Sequence, residues 1–182
     1  EGWIVVAAGN KSSDKAYVNK MAAPLANRFM QLNLEIDVEE WLEYAYNVGI
    51  HPSITAYINF RKEDALINLS AYKEGEGFPS PRSWENLSKS IKIFNDSDII
   101  FDVAKGLVGA AAAIEFLSFY KMGDQFSSVI QSIIEGTLDP KDVPQDLEAI
   151  QVINSCLIAK KKELNKKEER LYQYFLAIRS KE

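Results

Sequence analysis

Asn10, Arg28 and Arg82 are the residues of this chain whose types and placement suit chemistry on a phosphate. Asn10 ends the run Trp3-Ile4-Val5-Val6-Ala7-Ala8-Gly9, which is apolar without polar alternation. Such a run fits a strand buried on both faces, as in a parallel sheet covered by helices. Gly9-Asn10 is a turn signal, so Asn10 falls at the strand's carboxyl end, the edge where open parallel sheets bind ligands. Arg28 follows eighteen residues on, between apolar neighbours in Pro24-Leu25-Ala26-Asn27-Arg28-Phe29 and just before another strand-like run. A guanidinium's planar fork matches phosphate oxygens two at a time, which lysine cannot reproduce. Arg82 follows Ser80-Pro81, a cap and a first-turn proline, so it lies at a helix start. There the helix dipole disfavours a cation by about 0.3–1 kcal/mol, and a bound anion would reverse that penalty. Taken singly, each has a plainer reading: a turn asparagine, a surface arginine pairing with Glu35 or Asp37, and an arginine pairing with Glu85 at i+3.

Other chemistries are thinly supplied. His51 is the single histidine, which excludes a multi-histidine metal site, and beside Pro52 it reads as a local cap or packing residue. Cys156 is the single cysteine, on the apolar side of a helix, where it reads as a small core residue. A nucleophilic triad has no second base to draw on. Arg61 could add a phosphate or interface contact, although a solvated helix end is the simpler reading. The five lysines between Lys160 and Lys167 are interleaved with glutamates and read as a solvated helical face.

Composition sets the frame for these residues. The 182 residues hold one ordinary core or two small ones, with 47% apolar and 26% charged residues. A net charge of −5 argues against general nucleic-acid binding, which needs a basic face. One cysteine precludes an internal disulfide and suits a reducing, cytoplasmic setting. No apolar stretch approaches the roughly 20 residues of a membrane span, and no signal peptide is visible.

The elements that must position the candidate residues can be read in order. Met30-Gln31-Leu32-Asn33-Leu34-Glu35-Ile36 alternates over a strand's length. Asp37 with Glu40 reads as a capping box, Ile36 and Trp41 as a hydrophobic staple, with Trp41, Ala45 and Val48 on one face and Gly49 as the stop. Pro52 opens a second helix carrying Ile54, Tyr57, Ile58 and Arg61; residues 65–71 are ambiguous, and Glu74-Gly75-Glu76-Gly77 is a loop. Ser80 caps a helix that turns Trp84, Leu87, Ile91 and Phe94 inward. Asp98 caps a further stretch to Lys121, with a break expected near Gly106 and a small-residue face from Gly109 to Ala113. A helix over 125–135 closes at Gly136, with Val129, Ile130, Ile133 and Ile134 buried. Long helices are expected over 145–164 and 166–179, with Asn165 and Glu168 as a second capping box.

Ala7-Ala8-Gly9-Asn10, Pro24-Leu25-Ala26-Asn27-Arg28-Phe29 and Phe78-Pro79-Ser80-Pro81-Arg82-Ser83-Trp84-Glu85 together resemble the second half of an AAA+ ATPase module, closest to the MoxR-like branch. The resemblance covers roughly residues 1–120. It implies that Asn10 is sensor 1, orienting the attacking water, that Arg28 is the arginine finger of the neighbouring subunit's site, and that Arg82 is sensor 2, reaching the subunit's own nucleotide. It also implies ATP and Mg in the intact protein, with Asn10 and Arg82 on the nucleotide, a ring that is hexameric in such families, a remodelling or chaperone role, and a von Willebrand A domain protein as a partner. The fold class it implies is mainly α. The end of a parallel α/β core (residues 1–36) precedes a helical lid (37–121) and a C-terminal helical extension (122–182).

The sequence departs from that family in one important respect. None of the nine glycines belongs to G-x-x-x-x-G-K-[ST], so the phosphate cradle is missing. Ile99-Ile100-Phe101-Asp102 is the nearest approach to a Walker B strand, but Val103 follows where a glutamate is needed. The expectation is therefore a C-terminal fragment of an ATP-hydrolysing enzyme, cut inside a core strand and inactive alone. A non-catalytic helical adaptor, a protein-interaction module, is the alternative.

Overall fold

Local caps divide the second unit of the chain into helices. Asp37 accepts a hydrogen bond from the Glu40 amide at 2.9 Å and starts the 11-residue helix Val38–Val48, which stops at Gly49 in the left-handed region (φ 75°). The structure is a computed structural model and describes residues 2–11, 18–19, 21–94 and 96–160, together with Tyr174 and Ile178. Its helices are α1 (Ala23–Ala26), α2 (Val38–Val48), α3 (Pro52–Arg61), α4 (Glu63–Leu66), α5 (Pro81–Ile91), α6 (Ser97–Val108), α7 (Ala110–Gln125), α8 (Ser127–Glu135) and α9 (Leu147–Ala159). Short 3₁₀ turns cover Leu69–Ala71 and Pro140–Asp142. The protein is mainly helical, and the described residues contain no β-strand.

The chain divides into two compact units, Glu1–Ile36 and Asp37–Glu182. In the first, the runs expected as strands at residues 3–8 and 30–36 form no ladder among the described residues. Their side chains lie open, Trp3 at 95% and Leu34 at 90% exposure. A strand is stabilised by its neighbour's hydrogen bonds and by a face packed on a core, and the described residues of this unit supply neither to those runs.

Among its described residues the second unit holds two cores. In the larger, α3 packs on α2, α7 and α9, while α6 lies between α5 and α7. Trp84, Phe116, Ile54, Ile58, Leu66 and Leu87 are its largest fully buried side chains, and the Trp84 indole N–H donates to the Ala65 carbonyl at 2.8 Å. Tyr57 lies edge-on to Phe116 and Phe119, with ring centroids 5.6 Å apart in each pair. The smaller core joins Ile130, Ile133 and Ile134 of α8 to Val143 and to Ile153 and Leu157 of α9, with Tyr174. Cys156 is partly buried and packs against both cores.

Several element-level expectations change in the folded chain. Val48, the last residue of α2, and Phe94, three residues past the end of α5, are exposed rather than inward. Asp96, not Asp98, caps α6, its Oδ1 accepting from the Asp98 amide at 2.8 Å. The helix runs straight through Gly106 and breaks at Gly109 (φ 84°, ψ 161°), and α7 continues past Lys121 to Gln125. The expected helix over 166–179 and the Asn165–Glu168 box lie outside the described residues, except for Tyr174 and Ile178.

Candidate functional site

Arg82 is built by the start of α5. Ser80 accepts from the Ser83 amide at 3.2 Å, and the Ser83 hydroxyl accepts from the Ser80 amide at 2.8 Å, a reciprocal capping box. Pro81 takes the first helical position, where its missing N–H costs nothing. Arg82 comes next, exposed, and its guanidinium makes no hydrogen bond or ion pair among the described residues of its unit. The carboxylate that could have answered it, Glu85, is taken by Lys89 one turn on at 2.9 Å and by the Tyr44 hydroxyl at 3.4 Å. The Lys89 hydrogen bond holds the Glu85 carboxyl below its ordinary range. The i+3 pairing is thus not formed, because Glu before Lys at i,i+4 is the better-oriented pair.

Asn10 and Arg28 belong to the first unit. Asn10 is exposed in a stretch without regular structure. Arg28 is exposed on the turn leaving α1, its amide donating to the Leu25 carbonyl at 3.0 Å. Its guanidinium has no ion-pair partner among the described residues of that unit.

Arg61 has a different environment. Its guanidinium donates to the Glu115 carboxylate at 2.9 Å, and the Tyr57 hydroxyl donates to the same oxygen at 3.3 Å. Burial first, and then the Glu115 charge, push the Tyr57 phenol well above its ordinary range. These groups stand at a cavity of about 420 Å³, bounded also by Lys73, Glu76 and the first turn of α7. Because Glu115 answers Arg61, that arginine is not a free cation for phosphate. The pair links residues 54 positions apart, which periodicity along one helix cannot reveal.

No protein-family model matches this chain, and neither a curated protein nor a solved structure matches it. Among the described residues no three metal-ligating side chains gather into one cluster, and no helix is long and apolar enough to cross a membrane.

Proposed function

We propose that this chain is the C-terminal part of an AAA+ ATPase of the MoxR-like branch, bearing sensor 1, arginine finger and sensor 2. The observation that supports this best is the state of Arg82. It is an exposed guanidinium in the first turn of an 11-residue helix, within Phe78-Pro79-Ser80-Pro81-Arg82-Ser83-Trp84-Glu85, and has no ion-pair partner among the described residues of its unit. A residue offered to a phosphate needs its donors unspent, and the neighbouring carboxylate is engaged elsewhere. These donors fit the γ- or β-phosphate of ATP. In the ring, ATP with Mg supplies the phosphoryl group to be transferred. Asn10 would orient the water, Arg82 would hold the subunit's own nucleotide, and Arg28 would steady charge developing in the next subunit's site. Turnover would then move the helical lid and remodel a client protein, with a von Willebrand A domain protein as a companion.

The test is Arg28→Ala in the intact ring-forming protein. ATP affinity should stay within about twofold, while turnover falls by roughly 10³-fold or more, the scale of a lost arginine finger. Normal turnover would sink the assignment of the finger.

A non-catalytic helical adaptor is the second reading. It is favoured by the second unit, whose two cores close without a residue from 2–36 among those described. Denaturing mass spectrometry of the natural gene product separates the two. A mass exceeding 20.5 kDa by a further domain leaves room for the phosphate cradle, and a mass near 20.5 kDa favours the adaptor.

A further inference from the structure

We propose that His51 is an acid-sensitive latch at the corner where α2, α3 and α5 meet. Its ring, rather than the usual serine or aspartate, caps α3. Nδ1 accepts from the Ser53 amide at 3.3 Å and lies 2.7 Å from the Ser53 hydroxyl. The same residue ties the corner to α5, its own amide donating to Ser88 Oγ at 2.8 Å. Lys92, just past α5, closes the other side by donating to the carbonyl of Gly49, the residue that ends α2, at 2.6 Å.

Capping in this way requires a free lone pair on Nδ1. A proton there converts the acceptor into a donor facing the Ser53 N–H, and puts a cation at the positive end of the helix dipole. Lys92 is the charged group acting on the ring. Ser53 on α3 and Ser88 on α5 are neutral, and the last turn of α2, Ala45-Tyr46-Asn47-Val48, carries no charged side chain to offset it. Burial and Lys92 both hold the imidazole below its ordinary value of 6.5. The folded form therefore prefers the neutral ring. The stability this contributes is whole above pH 6.5 and is lost progressively as the pH falls from there toward the folded value.

One histidine gives one Hε1 resonance, so the titration can be read by NMR on the full chain without assignment by mutation. The Hε1 midpoint is expected below 6.5, with the Ser53 amide shift following the same midpoint. His51→Asn keeps a capping side chain without the titration. Between pH 7.5 and 5 the unaltered chain should lose about 2–4 °C more in Tm than His51→Asn, a cap's worth for this size. Lys92→Met should move the midpoint upward. A midpoint at or above 6.5, a Ser53 amide that ignores the titration, or a Tm difference constant across pH would each overturn the latch.

Discussion

Asp37 and Ser80 show how much a single side chain can settle. Each offers an oxygen to an amide three residues on, and each decides where a helix of the larger core begins. Asp37→Ala and Ser80→Ala should each lower stability by about 1 kcal/mol in urea unfolding, with the slope unchanged. Cys156 tests burial by reactivity. Burial pushes its thiol up to about 11, against a partial offset from Lys160. At pH 8 it should react with iodoacetamide about 100-fold more slowly than a free thiol, and at the ordinary rate once unfolded. Asp37, Gly49, Ser80, Pro81 and Gly136 were legible as caps and stops because a cap acts across three or four residues. Asp96 and Asp98 show where that legibility ends. Both are acidic residues at the start of the same helix, and only the folded chain selects Asp96 as the cap and leaves Asp98 in the first turn.

At the scale of elements, two glycines three residues apart have opposite roles. Gly106 lies inside α6, and a Cβ there would meet open space. Gly106→Ala should therefore raise stability by about 0.5–1 kcal/mol, by helix propensity and a stiffer unfolded chain. Gly109 is the joint between α6 and α7. Its φ of 84° is costly for other residues, and a Cβ there would lie 2.7 Å from the Gly77 carbonyl oxygen. Gly109→Ala should cost about 1–3 kcal/mol by strain and crowding together. Thermal unfolding of the two variants side by side reads the contrast. The break was expected at Gly106 because propensity treats both glycines alike. What separates them is the backbone of residue 77, some thirty positions away in the chain.

For the whole molecule, the decisive feature is that both cores are assembled from residue 38 onward among the described residues. A chain beginning at Asp37 should thus retain its helical circular dichroism and melt within a few degrees of the full chain. Loss of the cooperative transition would mean that residues 2–36 support the cores. Phe116 is fully buried within the aromatic cluster of Tyr57, Trp84 and Tyr120. Phe116→Ala should cost about 3–5 kcal/mol, since a rigid aromatic cluster collapses poorly around a cavity.

Sequence alone determined the mainly helical class, the starts and stops of most helices, and the placement of Arg82 in a first turn behind Ser80-Pro81. All of these follow from contacts within a turn or two, where chain connectivity brings the partners together. Tertiary structure alone decided that Val48 and Phe94 face outward, that α6 continues through Gly106, and that Arg61 is held by Glu115. Each of those outcomes depends on which face of one helix meets another. Such choices are made by surfaces far apart in the chain, and no local pattern encodes them.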